Sequence, residues 1–150
     1  MYKKIIFATD GSENANRALK RIVKFYKAWG SEILVIHSLK HETLISFAYE
    51  TNAALLQMYM SLEQENVNMG NEILYETKKF FEKASVPVEL CLVVDESPEA
   101  FINRIVKEKN YDLVVLGIKG IHSKLKRALY YGSVAKKVIK NVNCDILIIK

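Results

Sequence analysis

Lys3-Lys4-Ile5-Ile6-Phe7-Ala8-Thr9-Asp10-Gly11-Ser12-Glu13 reads as a strand, a tight turn and a helix start within eleven residues. The short apolar run Ile5-Ile6-Phe7-Ala8 suits a strand covered on both faces, and Asp10-Gly11 is a turn pair that ends it. Ser12 is placed to cap a helix, with Glu13 setting a negative charge near the helix's positive end. Ala15, Leu19, Ile22, Val23, Tyr26 and Trp29 follow at helical spacing, and Gly30 supplies the stop.

Outward from this unit the same alternation repeats. Ile33-Leu34-Val35-Ile36 is the centre of a second buried strand at 32–37, and 38–52 reads as a loop. A long helix follows, with Leu55, Tyr59, Leu62, Met69, Ile73, Phe80 and Ala84 on one stripe and Gly70 as its weak point, the natural place for a kink. Met58, Met60 and Met69 read as core gap-fillers, with an adaptable partner surface as the rarer use. The third strand spans 86–94, and Pro87 near its start suits a sheet edge. Ser97-Pro98-Glu99 opens a helix whose buried stripe is Ala100, Phe101, Ile105 and Val106. A fourth strand at 112–116, a helix from about 133 to 140 and a fifth strand at 145–149 complete the chain.

Strands separated by helices require right-handed crossovers, so the expected fold is α/β, a single domain with a doubly wound five-stranded parallel sheet and helices on both faces. The expected strand order is 3-2-1-4-5. It places Cys91 and Cys144 on opposite edges, about 19 Å apart across four inter-strand spacings and too far for a disulfide.

Composition agrees with this fold and narrows the function. Of 150 residues, 50% are apolar and 26% charged, a globular balance with a core that needs no staple. The opening apolar run is too short for a signal-peptide core, and no stretch approaches the roughly 20 residues of a membrane span, so a cytoplasmic protein without membrane contact is expected. Both cysteines sit in apolar runs as small hydrophobes, and His37, His41 and His122 have no partners at ligand spacing. The net charge of +5 is scattered over helix faces and one loop with no aromatic-interleaved basic motif, which argues against nucleic acid as a partner.

Chemistry is expected beyond the carboxyl ends of the strands, where strand order reverses. The first strand ends in Thr9-Asp10-Gly11-Ser12. The fourth ends in Gly117-Ile118-Lys119-Gly120, and Gly132-Ser133 begins a helix further on. Glycines admit a ligand close to the backbone, and a helix amino terminus offers unpaired amides to a phosphate. Each glycine alone has a plainer reading, a turn or a relaxed helix start. Grouped, they describe an anion cradle beside a carboxylate.

From Lys3 to Lys150 the chain resembles the universal stress protein family. The resemblance is carried by Ile5-Ile6-Phe7-Ala8-Thr9-Asp10-Gly11-Ser12, Val35-Ile36-His37, Asp112-Leu113-Val114-Val115-Leu116-Gly117, Gly132-Ser133-Val134-Ala135 and the apolar strand after Asn143-Cys144-Asp145. ATP-binding members show Gly, two residues, Gly, nine residues, then Gly followed by Ser or Thr. Here Gly117 and Gly120 match the first half and Gly132-Ser133 the last, with eleven residues, 121–131, as the spacer.

By this resemblance ATP would be held with a divalent ion, Mg or Mn. Thr9 and Asp10 would border it, Asp10 near the ribose or the ion. Ser38 and Leu39 would lie near adenine, Ser38 standing where the family usually has a hydrophobic residue. Gly117, Gly120, Gly132, Ser133 and Val134 would surround the phosphates, with Lys119 and Lys124 as candidate charge partners. The resemblance also implies a homodimer joined through the C-terminal strand, which the apolar edge Ile146-Leu147-Ile148-Ile149 favours by itself.

The expected function is therefore a dimeric ATP-binding switch in a stress response, read by a protein partner the sequence does not identify. Two alternatives stay open: a dimeric stress protein without nucleotide, and a slow ATPase or nucleotidyl transferase on the same fold. Asp10 and His37 offer proton acceptors, but the sequence displays no nucleophile-base pair and no Walker Gly-Lys-Ser or Gly-Lys-Thr.

Overall fold

In the computed structural model, which describes residues 1–39, 53–94, 96–118 and 132–150, β1 (Lys4–Ala8), β2 (Glu32–Ser38), β3 (Glu89–Val93), β4 (Leu113–Gly117) and β5 (Asp145–Ile149) pair in parallel in the order β3-β2-β1-β4-β5. This is the expected order. The described helices are α1 (Glu13–Trp29), α2 (Ala53–Lys83), α3 (Pro98–Lys109) and α4 (Ser133–Asn141). The expected loop over 38–52 lies outside the described residues except at its first two positions, where Ser38 still belongs to β2.

Successive strand residues point to opposite faces, and both faces are covered. Ile5, Phe7, Val35, Leu113 and Val115 pack with Ala18, Ile22, Leu74 and Phe81 of α1 and α2. Ile6, Leu34, Ile36, Val114 and Leu116 pack with Ile102, Val106 and Val138 of α3 and α4. That two-sided burial is why the strands read as unbroken apolar runs. Cys91 lies in β3 and Cys144 just ahead of β5, on opposite edges; both thiols are free, and burial holds both above the ordinary thiol range, Cys144 at about 11.

Helix starts follow the sequence signals. Ser12 accepts the amide of Ala15 at 3.3 Å, and Ser97 accepts that of Ala100 at 3.3 Å with Pro98 in the first turn. Gly30 ends α1 in the left-handed conformation at φ 67°. The buried stripe of α3 is Phe101, Ile102, Ile105 and Val106, with Ile102 in place of the expected Ala100.

The largest departure from the sequence reading is α2. Its buried residues are Gly70, Leu74, Thr77 and Phe81, all in the carboxyl half, while Met58, Met60, Leu62 and Met69 are exposed, so the methionines do not fill core gaps. The reason is length. Thirty-one helical residues run about 46 Å, whereas strands of five to seven residues span about 17–24 Å, so the helix outruns the sheet. Gly70 does not interrupt the helix. A Cβ there would stand 2.8 Å from Leu92 Cδ1, 2.9 Å from Leu39 Cδ2 and 3.1 Å from His37 Cδ2, so the missing side chain lets α2 settle on the carboxyl ends of β2 and β3.

On the other face Lys137 of α4 bonds Glu99 of α3. Burial opposes the Glu99 carboxylate, but the Lys137 hydrogen bond and charge outweigh it and its pKa falls below the ordinary value. A lowered carboxylate pKa contributes stability that is complete above the unfolded pKa and is lost as pH falls through the folded one. Glu99→Gln should therefore cost up to about 1 kcal/mol at neutral pH, since Lys137 is exposed, and nothing at a pH low enough to protonate the Glu99 carboxyl in the folded and unfolded states alike. Urea unfolding across an acid pH series checks this.

Candidate functional site

Strand order reverses between β1 and β4, and the described candidate residues lie at the ends of β1 and β2 and where β4 meets the start of α4. At the end of β1 the Thr9 amide bonds the Ile36 carbonyl at 2.9 Å, and Thr9 is buried. Its hydroxyl accepts the Gly11 amide at 3.2 Å, and one oxygen of Asp10 accepts the Ser12 amide at 3.0 Å. Gly11 sits at φ 74°, a conformation that favours glycine. The turn thus fixes the Asp10 carboxylate against the first turn of α1.

From β2 comes a bridge the sequence reading did not assign. His37 Nδ1 lies 2.7 Å from the Thr9 carbonyl; a carbonyl only accepts, so Nδ1 carries the proton and Nε2 is the acceptor in the neutral ring. The imidazole ties the end of β2 to the end of β1, and Gly70 of α2 rests against its edge. A histidine at the end of an apolar strand was the signal available, but its partner is a backbone atom that no side-chain pattern reveals. Beyond it the Leu39 amide bonds the Val93 carbonyl at 3.0 Å, and the Ser38 hydroxyl lies 3.4 Å from the carbonyls of both Leu39 and Glu96.

The third approach is β4 and α4. A Cβ on Gly117 would stand 3.3 Å from Asn14 Cβ and 3.4 Å from the Ala15 amide, so Gly117 admits the first turn of α1 onto β4, a packing reason beside any ligand. The Ile118 amide bonds the Ile149 carbonyl at 2.8 Å, and the Ile118 carbonyl accepts the Gly132 amide at 2.8 Å. This pair of bonds pins the start of α4 one residue past the end of β4. Gly132 is the cap residue of α4 and brings no side-chain cap, so the amides that open the helix, from Ser133 and Val134 onward, meet no capping side chain from it. Ser133 is exposed and Val134 half-buried.

Gly120, Lys119 and Lys124 lie outside the described residues. Thr9, Asp10, Ser38, Leu39, Gly117, Gly132, Ser133 and Val134 are described and stand at the carboxyl ends of β1, β2 and β4 or at the start of α4. Among the described residues no cluster of three or more His, Cys, Asp or Glu side chains could hold a metal by itself. Asp10 is one carboxylate, which suits an ion that takes most of its ligands from phosphate and water.

The universal stress protein family model matches residues 1–150. The chain belongs to that family. Universal stress protein MJ0531 of Methanocaldococcus jannaschii is 30% identical over 150 residues, covering 100% of this chain and 83% of that one. MJ0577 of the same organism has a solved structure with 29% identity and a TM-score of 0.73, covering 100% of this chain and 96% of that one. The universal stress protein of Archaeoglobus fulgidus, solved in complex with dAMP, has the same fold at 22% identity and a TM-score of 0.69, covering 100% of this chain and 98% of that one. Among the described residues of this universal stress protein no helix is long and apolar enough to cross a membrane.

Proposed function

We propose that the crevice between β1 and β4 binds ATP with a divalent ion, and that this cytoplasmic protein works as a dimeric nucleotide-controlled switch. The observation that carries the reading is the Gly132–Ile118 bond, which holds, beside the end of β4, the strand that pairs with β1, a helix start whose cap residue has no side chain. Phosphate oxygens would take the amides of Ser133 and Val134, with Gly132, Gly117 and Gly120 keeping the backbone open to them. Asp10 would hold the ribose or the ion, which neutralises phosphate charge. Thr9 would border the nucleotide, and Ser38 and Leu39 would flank the base. Family members solved with dAMP, AMP and cAMP support a nucleotide as the ligand class.

A ligand that binds only the folded state adds about 2.7 kcal/mol at a hundredfold excess over Kd. For a chain of this size that raises Tm by roughly 5–10 °C. Asp10→Ala should lose most of the ATP-induced shift. Because Asp10 also accepts the Ser12 amide, its own Tm will fall, so the shift on adding Mg-ATP, read by scanning calorimetry, is the measure. A wild-type Tm unmoved by Mg-ATP would favour the nucleotide-free alternative.

The dimer is proposed through β5, an edge strand. The Asp145 amide and the Ile149 carbonyl both bond toward β4, so by the alternation of a parallel ladder Ile146 and Ile148 turn their amides and carbonyls to the open edge. Ile148→Pro therefore deletes an edge donor and leaves the β4 ladder intact. Sedimentation should show a dimeric wild type and a folded, monomeric Ile148→Pro; a monomeric wild type at micromolar concentration would refute the dimer.

A further inference from the structure

Seventeen residues of α2 precede Gly70, and none of them is buried among the described residues. Gly70 abuts His37, Leu39 and Leu92 at the carboxyl ends of β2 and β3, so this amino half, about 25 Å of helix, rises beyond the sheet on the side of the crevice. Met58, Leu62 and Met69 share one stripe at spacings of four and seven, and they are 61%, 43% and 55% exposed. Side chains of this size so far out of the core need a reason, and methionine is the residue that moulds itself to varied apolar partners.

Charge says which partner. Residues 53–77 hold Glu63, Glu65, Glu72 and Glu76 and no Lys or Arg, although the chain as a whole carries +5. Glu65 lies three residues after Leu62 and four before Met69, and Glu72 three after Met69, so both flank the stripe. Glu76 continues that edge and pairs with Lys79 at 2.6 Å. An acidic edge repels phosphate and anionic lipid, which disfavours nucleic acid and membrane here. It also disfavours a second α2 on the same face, because the two acidic edges would meet.

We propose that the amino half of α2 is a docking face for a basic amphipathic helix of a partner protein, whose apolar ridge packs on Met58, Leu62 and Met69 while its Lys and Arg residues pair with Glu65 and Glu72. Helix ridges pack into helix grooves over about three turns, the length from Met58 to Met69. The proposal does not depend on nucleotide binding.

The test uses the full chain and an 18-residue synthetic helix with Leu on one face and Lys on the other, titrated by fluorescence anisotropy at physiological salt. Controls are the Leu/Glu counterpart and a scrambled Leu/Lys peptide. The Leu/Lys helix should bind and the controls should bind at least about tenfold more weakly. The triple variant Met58→Ser/Leu62→Ser/Met69→Ser and the double variant Glu65→Lys/Glu72→Lys should each lose at least about tenfold in affinity. Circular dichroism should show both variants folded, since every substituted side chain is exposed. Failure of the Leu/Lys helix to bind, equal binding of the Leu/Glu or scrambled peptide, or undiminished binding by both variants would overturn the proposal. Dissociation of an oligomer by the triple variant would overturn it too, assigning the face to a second copy.

Discussion

Gly132→Asp should abolish ATP binding while leaving the protein as stable as wild type or slightly more so. Gly132 has φ −57° and ψ 159°, an extended conformation that any residue adopts without strain, and it stands at the cap position of α4. An aspartate there accepts one of the amides that open the helix and places negative charge at the positive end. Those effects are worth a few tenths to about 1 kcal/mol in favour of folding. The same carboxylate takes an amide the phosphate needs and repels the phosphate itself. Calorimetric titration should show a loss of about a hundredfold or more, close to 2.8 kcal/mol. Gly132→Ser, a neutral cap, should fall between wild type and Gly132→Asp. Opposite signs in stability and binding separate a cradle from a helix start that merely relaxes at a glycine. If Gly132→Asp binds ATP as tightly as wild type, α4 does not hold the phosphates.

Phe81→Ala should cost about 3–5 kcal/mol, a large share of the 5–15 kcal/mol expected for a domain. Phe81 is fully buried, meets Phe80 edge to face at 6.0 Å and belongs to the cluster that includes Leu74, Val86 and Val35. Truncation opens a cavity where α2 is fastened to the sheet, and the rigid strands around it can close only part of it. Met58→Ala on the same helix should change stability by less than about 0.5 kcal/mol, because its side chain already faces water. Urea unfolding of the two variants measures the contrast. Equal costs would mean that the amino half of α2 is packed as firmly as the carboxyl half.

The sheet order was legible because the central strands are buried on two faces, and the starts of α1 and α3 because each carries its own cap signal, Ser12 and Ser97-Pro98. The burial of α2 was not legible. Its apolar residues keep helical spacing along its whole length, but spacing records which residues share a side, not how far the sheet extends beneath them. Leu62 and Met69 share a stripe with Ile73 and Phe80, yet Phe80 packs on the core and Ile73 lies against Gly11, while Leu62 and Met69 are exposed. Gly70 was legible as a weak helix former and not as a contact, since its neighbours Leu92, Leu39 and His37 come from strands distant in sequence. Around the crevice, Asp10, Gly117 and Gly132 could be picked out as residue types. The bonds that set them in place run through the carbonyls of Thr9, Ile118 and Ile149, and backbone partners leave no trace in side-chain pattern.

Amide chemical shifts recorded while Mg-ATP is titrated into the isotope-labelled protein test most directly whether ATP occupies the β1–β4 crevice. Bound there, ATP should shift the amides of Asp10, Gly11, Leu39, Gly117, Gly132, Ser133 and Val134 together, with one saturating dependence on concentration, and leave those of α1 beyond its first turn unmoved. Shifts that gather on the basic surface of α1, at Lys20, Arg21 and Lys24, would contradict it, as would a spectrum that does not change.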